Sequence, residues 1–310
     1  MASETSTLPI RGLVDTAALM KIGSLELRAK VVVEGFQRGL HRSPFHGFSV
    51  EFSEYRPYVP GDDVRFLDWR LYARSDRDYV KKFEDETNLR CHLVVDQSGS
   101  MGYGSLGWRK ADYAATLAAT LGLFLDVQGD AVGLVTFTDR VTEHLPPRNR
   151  PGHLRRVMLG LERAPGGSTG ELAKPLAAVA GLVSRRGLLV LISDLLAPAG
   201  DLERQLGALA ASGHEVVIFQ VLDPAERSFT FEDGAPAVFR DLESGRQLFI
   251  DPAAARRGYQ RALGEHLEMI ATGCRRWGVS YHLFTTDQAL DLALLAFLGS
   301  RRRGRHGRAA

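Results

Sequence analysis

From residue 88 onward, short apolar runs alternate with stretches of helical periodicity, and this alternation restricts the fold more than any other feature of the chain. Residues 88–95, 131–137, 188–192, 215–222 and 279–284 read as buried strands, rich in Val, Leu and Ile and bounded by turn residues. Helical patterns fall at 109–127, 152–161, 171–185, 202–211, 253–277 and 288–298. Strands that alternate with helices predict an α/β fold, a doubly wound, mostly parallel, Rossmann-like sheet wrapped by helices on both faces. A short strand at 141–145 lies close enough to 131–137 to form a hairpin with it. Alternating segments between 226 and 250, with the turn Glu232-Asp233-Gly234, predict a small β-hairpin insertion.

Upstream, residues 1–14 read as a disordered N-terminus. Residues 16–36 carry Leu19, Ile22, Leu25, Leu27, Val31, Val32 and Phe36 at helical spacing, as a helix docked on a larger body does. Residues 48–58 alternate like a half-buried strand, and 79–83 reads as another. Between them, Arg56, Arg65, Arg70 and Arg74 are interleaved with Tyr55, Tyr58, Trp69 and Tyr72, a composition found in interfaces and in buried polar networks alike. The expected organisation is a smaller α+β extension over 15–87, a main domain over 88–300 and a basic tail over 301–310.

The strand at 88–95 ends abruptly in Asp96-Gln97-Ser98-Gly99-Ser100. Asp96, Ser98 and Ser100 would project from a loop at the carboxyl end of a strand, where open α/β sheets place their ligands. One carboxylate and two neutral hydroxyls are hard oxygen donors, suited to Mg²⁺ or another divalent ion such as Mn²⁺ or Ca²⁺. Two later loops supply further oxygens: Thr169, with Ser168 beside it, in the Gly-rich loop before a helix, and Asp194 after the most apolar strand. Each has a local alternative, since Ser168 or Thr169 can cap the following helix, Asp194 can cap the next, and Asp96 can bond its own turn.

Asp96, Ser98, Ser100, Thr169 and Asp194 together resemble the metal-ion-dependent adhesion site of von Willebrand factor type A domains. The run from Glu51-Phe52 through Arg56-Pro57-Tyr58, Pro60-Gly61-Asp62-Asp63 and Asp68-Trp69-Arg70 to Ala73-Arg74 resembles the bacterial family called "domain of unknown function 58", over roughly residues 38–298. The resemblance implies that Asp96, Ser98, Ser100 and Thr169 bind the ion directly or through water, and that Asp194 acts through water. It also implies a partner, because such proteins are often encoded beside AAA+ ATPases of the MoxR type.

Three function classes follow. The first is a non-enzymatic, metal-dependent protein-binding module, in which an acidic residue of the partner completes the metal's coordination and no small-molecule substrate is involved. The second is a Mg²⁺-dependent phosphohydrolase with Asp96 as nucleophile; it is weakened by Ser98, which stands where haloacid-dehalogenase-like enzymes place a second carboxylate. No Gly-x-x-x-x-Gly-Lys-Ser/Thr loop occurs, and the nine histidines are dispersed, so no catalytic residues are expected. The third is a nucleic-acid adaptor acting through the tail, where Arg301, Arg302, Arg303, Arg305 and Arg308 put five positive charges in the last ten residues. Taking those five from 39 basic residues leaves 34 against 37 acidic ones, so the body has no electrostatic footprint of a nucleic-acid binder, and the tail reads as a solvated, disordered end. With no run of eighteen apolar residues and no signal-peptide core, a cytoplasmic protein without a membrane span is expected. The two cysteines, Cys91 and Cys274, read as reduced core thiols rather than a zinc site.

Overall fold

The computed structural model describes residues 14–42, 54–57, 79–82, 89–167, 172–183, 185–197, 199–231 and 236–306. The chain divides into two compact units, Leu40–Asn88 and the combination of Met1–Gly39 with Leu89–Ala310. In the smaller unit, β1 (Glu54–Pro57) pairs antiparallel with β2 (Tyr79–Lys82), Glu54 lying opposite Lys82 and Arg56 opposite Val80. Most of the Arg- and Tyr-rich motif between these strands lies outside the described residues.

The larger unit is built on a six-stranded sheet in the order β10-β7-β6-β3-β4-β5. Its strands are β3 (Arg90–Asp96), β4 (Ala131–Phe137), β5 (Val141–Arg148), β6 (Leu188–Ser193), β7 (Glu215–Leu222) and β10 (Ser280–Thr285). Five are parallel and β5 alone runs antiparallel, against β4. The central strands are buried along almost their whole length, which is why they read as continuous apolar runs. The architecture fits the von Willebrand factor A-like fold expected from the sequence.

On one face lies the helix Lys110–Val127, apolar nearly all round because it is covered on both sides. Its Thr116 and Thr120 hydroxyls donate to the carbonyls of Asp112 and Thr116, each at 2.7 Å, so neither is stranded in the core. The outer cover is the helix Leu25–Arg42: Phe36 meets Phe124 edge to face with centroids 6.2 Å apart, and Arg28 Nη1 donates to Thr116 Oγ1 at 2.9 Å. The periodicity read over 16–36 spans two helices, Thr16–Met20 and Leu25–Arg42, because Gly23 and Ser24 interrupt it and Ser24 Oγ accepts from Leu27 N at 3.3 Å. The first helix, and the second up to Gly39, belong to the larger unit, so the expected extension is shared between the two units. On the opposite face of the sheet, Val94, Leu189, Leu191 and Ile218 pack against Leu176, Leu206 and Ile270 of the flanking helices.

Three boundaries differ from the sequence reading. β5 continues to Arg148 through Pro146 and Pro147, which an edge strand tolerates because one side of its backbone needs no partner. Opposite them, a side chain on Gly133 would come within 2.7 Å of the Pro147 nitrogen and the Leu145 carbonyl, so glycine permits the irregular register there. The hairpin insertion is present, as β8 (Ala237–Arg240) and β9 (Gln247–Ile250), but its turn is Asp241–Arg246, with Glu232-Asp233-Gly234 outside the described residues. Asp241 supports this turn by accepting from Glu243 N at 2.9 Å and Ser244 Oγ at 2.5 Å, and Gly245 supplies a φ of 70°. Finally, the last helix runs from Leu290 to His306 and takes in Arg301, Arg302, Arg303 and Arg305, correcting the expectation of a disordered tail up to that point. Arginine is a good helix former, and cations suit the carboxyl end of the helix dipole. Among the described residues no helix is long and apolar enough to cross a membrane.

Candidate functional site

The strand order reverses beside β3: the chain leaves β3 for β4 on one side and returns as β6 on the other. Such a switch point opens a crevice at the carboxyl ends of the two strands, and Asp96 ends β3 while Asp194 follows β6. Asp96 is fully buried. Its Oδ2 accepts from Ser193 Oγ at 2.6 Å and its Oδ1 from Ser98 N at 2.8 Å, so its hydrogen-bond partners among the described residues are all neutral. Burial and the charge of Asp194 push its pKa up to about 7, against the pull of the Ser193 and Ser98 hydrogen bonds.

After Asp96 the chain turns through a 3-10 segment, Gly99–Gly102. Ser98, its N-cap, makes no capping bond with its side chain; Ser98 Oγ and Ser100 Oγ instead bond each other at 3.1 Å. The local-turn alternative therefore describes the Asp96 carboxylate in part, and the two hydroxyls not at all. Gly99 is required by crowding, since a methyl group there would lie 2.7 Å from the Leu242 carbonyl oxygen and 3.1 Å from that of Gly167.

The third loop arrives at the same place. Gly166 N donates to the Gln97 carbonyl at 2.9 Å, and Gln97 Nε2 donates to the Gly160 carbonyl at 3.1 Å. The chain thus reaches the cradle at Gly167, while Ser168 and Thr169 lie outside the described residues. Asp194, also buried, accepts from Leu196 N at 3.3 Å on Oδ1 and from Lys110 Nζ at 2.8 Å on Oδ2. Lys110 Nζ donates as well to Glu226 Oε1 at 2.7 Å. Burial works against the ammonium, but the charges of Asp194 and Glu226 outweigh it and raise the Lys110 pKa; for Glu226 burial wins over Lys110, and its pKa is raised too.

Lys110, Glu226 and Ser193 were not singled out by sequence. A lone lysine at the start of an Ala- and Leu-rich helix reads as a surface end, and only its position just inside the apolar stretch hints at burial. Gln220 is a further case: its Nε2 holds the Asp194 carbonyl at 2.6 Å and its Oε1 accepts from Tyr281 at 2.5 Å.

With Lys110 committed to Asp194 and Glu226, Asp96 is left as a buried carboxylate whose hydrogen-bond partners among the described residues are neutral donors. The donor set suits a hard divalent cation: the Asp96 carboxylate, the Ser98 and Ser100 hydroxyls, and Asp194 held back by its lysine. Among the described residues no three His, Cys, Asp or Glu side chains form a group that could hold a metal ion.

Comparison with known proteins places the chain. Uncharacterized proteins of Mycobacterium bovis and Mycobacterium tuberculosis are 34% identical over 301 residues, covering 95% of this chain and 93% of theirs. Of solved structures, the conserved hypothetical protein BatB from Bacteroides thetaiotaomicron aligns with a TM-score of 0.47 at 15% identity, over 70% of this chain and 98% of that one. An aerotolerance-related membrane protein from Bacteroides fragilis gives 0.44 at 18%, over 66% and 94%. Neither likeness extends to what those proteins do. The model of one family matches residues 54–269, a span that holds Asp96 and Asp194 together with β3, β4 and β6, and the chain therefore belongs to the family described as "Protein of unknown function DUF58".

Proposed function

We propose that this protein is a non-enzymatic, metal-dependent protein-binding module, an adaptor or co-chaperone that works with a MoxR-type AAA+ ATPase. The observation that carries the reading is the state of Asp96: fully buried, bonded to neutral donors, and raised in pKa by its surroundings. Asp96, Ser98 and Ser100 would hold Mg²⁺ or a related ion, Thr169 would add a hydroxyl, and Asp194, tied to Lys110, would act through water. The bound ion supplies a coordination position that an incoming carboxylate fills. Ser193 and the Ser98 amide orient the Asp96 carboxylate, and the Lys110 ammonium keeps Asp194 from collapsing onto it.

One feature supports a binding role over hydrolysis. His153, His214 and His266 each use Nε2 on a backbone oxygen, of Val132, Val183 and Leu195, and so serve the fold. The MoxR-type partner follows from the family resemblance. The test is calorimetric titration of a purified MoxR-type ATPase from the same genome into wild type, Asp96→Ala and Asp194→Ala, with Mg²⁺ and with EDTA. Binding that needs both Mg²⁺ and Asp96 is expected; equal binding by Asp96→Ala, or metal-dependent phosphatase turnover lost in Asp96→Asn, overturns the proposal.

A further inference from the structure

Asp194 is held at its side chain and at its backbone. Its Oδ2 accepts from Lys110 Nζ at 2.8 Å and its Oδ1 from Leu196 N at 3.3 Å, so both carboxylate oxygens are engaged. Its own carbonyl accepts from Gln220 Nε2 at 2.6 Å, and His266 Nε2 bonds the carbonyl of the next residue, Leu195, at 2.8 Å. Leu195 is buried and takes a φ of 52°, a left-handed conformation that residues with a side chain adopt only where their surroundings enforce it. Gln220, His266 and the Leu196 amide thus place the loop after β6 with neutral groups. What the fully buried Lys110 adds is a positive charge on an Asp194 oxygen, and Glu226 at 2.7 Å holds that ammonium from another side. Burying a lysine costs more than burying a neutral donor, so the charge itself calls for a use.

That use concerns which ion the cradle takes. Ca²⁺ takes about six to eight oxygens in flexible geometry and draws on several carboxylates, often bidentate, whereas Mg²⁺ keeps several waters and is satisfied by one or two carboxylates. The Asp96 oxygens also accept hydrogen bonds, from Ser193 Oγ and Ser98 N, but those donors are neutral and leave its charge uncompensated. Asp194 already has a cation. We propose that Lys110 is a positioning residue that sets the ion preference of the cradle: by occupying Asp194 it leaves Asp96 to enter the ion's inner shell without a second carboxylate from the loop after β6, and so favours Mg²⁺ over Ca²⁺. The inference rests on the metal-dependent reading above and deepens it, from a divalent ion in general to one that retains its waters. Lys110 acts through Asp194 and does not itself meet the ion.

The test is calorimetric titration of Mg²⁺ and of Ca²⁺ into the metal-stripped full chain, as wild type, Lys110→Met/Glu226→Met, Lys110→Arg, Asp194→Asn and Asp96→Ala, with thermal unfolding to check that each folds. The paired change is chosen because Lys110→Met alone strands two carboxylates. Wild type is expected to bind Mg²⁺ at least as tightly as Ca²⁺, and Asp96→Ala to bind neither. The ratio of Mg²⁺ to Ca²⁺ affinity should fall at least about tenfold in Lys110→Met/Glu226→Met, through a gain for Ca²⁺. It should stay within about threefold of wild type in Lys110→Arg, which keeps the cation, and in Asp194→Asn, whose side chain stays outside the inner shell. A ratio unchanged in the paired variant overturns this proposal and leaves the cradle reading standing, as does loss of both affinities by equal factors, which marks Lys110 as structural alone. Tighter Ca²⁺ than Mg²⁺ binding by wild type overturns it too, and so does a tenfold shift of the ratio in Asp194→Asn, an arm that decides even if the paired variant does not fold. Binding of neither ion by wild type, or equal binding by Asp96→Ala, overturns the cradle reading and this inference with it.

Discussion

Lys110 and Asp194 meet at 2.8 Å with side-chain exposures of 0% and 3%, and the same ammonium reaches Glu226 at 2.7 Å. One cation thus joins the loop after β6 to the helix Pro224–Ser228 that leads into the hairpin. Enclosed pairs of this kind are costly to assemble and more costly to break, because removing one partner strands the other charge out of water. The exposed Lys30–Glu26 pair, at the same 2.7 Å, belongs to a different energetic class.

Lys110→Met is expected to destabilise the protein by about 3–5 kcal/mol, whereas Lys30→Met should cost less than about 1 kcal/mol. Adding Glu226→Met to Lys110→Met should recover part of the loss by removing one stranded carboxylate. Urea unfolding of the four proteins checks both statements; a double variant no more stable than Lys110→Met contradicts the second.

Asp96→Asn keeps the shape of the side chain and removes its charge. Its carbonyl can still accept from the Ser98 amide and its NH₂ can donate to Ser193 Oγ. In EDTA near pH 8 the variant should be no less stable than wild type, while Mg²⁺ should raise the thermal midpoint of wild type alone. A midpoint shift of equal size in both proteins would show that any bound ion sits elsewhere.

Gly99→Ala places a methyl group 2.7 Å from the Leu242 carbonyl and 3.1 Å from that of Gly167. Backbone atoms cannot yield as a flexible side chain does, so a cost of about 1–3 kcal/mol is expected. Faster hydrogen exchange should appear at the hairpin turn Asp241–Arg246, with the sheet unaffected.

His92 lies buried in β3, and its Nδ1 has no hydrogen-bond partner among the described residues. Burial, followed by repulsion from His144, His214 and Arg90, pushes its pKa down to about 4. Between that value and the ordinary histidine value near 6.5, the unfolded chain binds more protons than the folded one. The His92 contribution to stability is therefore full above about pH 6.5 and declines as pH falls toward 4, by about 3 kcal/mol. In His92→Gln the urea-unfolding free energy should vary less steeply across that window; an unchanged slope would place the acid sensitivity on other groups.

The sheet was legible because its strands are buried on both faces and so appear as unbroken apolar runs, and the switch point followed from the order of strands and helices. Asp96, Ser98, Ser100 and Asp194 were legible for a related reason: polar residues that end such runs have one place to go. Ser193 and Lys110 were not, because a hydroxyl inside a strand and a charge in the first turn of a helix are ordinary locally, and their importance arises from residues 97 and 84 positions away. The hairpin insertion was legible, but the turn that joins its strands was not: it is set by Asp241 and Gly245 bonding across five residues, while Asp-Gly at 233–234 lies outside the described residues. The final helix outran its expected end because its apolar periodicity stops before its backbone hydrogen bonding does.

Pro146 and Pro147, on the outermost strand of the main sheet, reach beyond their local geometry. An antiparallel edge that cannot offer a full row of amide donors is a poor template for another chain's strand, and that side of the molecule is closed to fibre-like growth. The two prolines thus guard the β5 edge of the sheet against strand addition, a protection that β10 at the opposite edge, Ser280–Thr285, does not share.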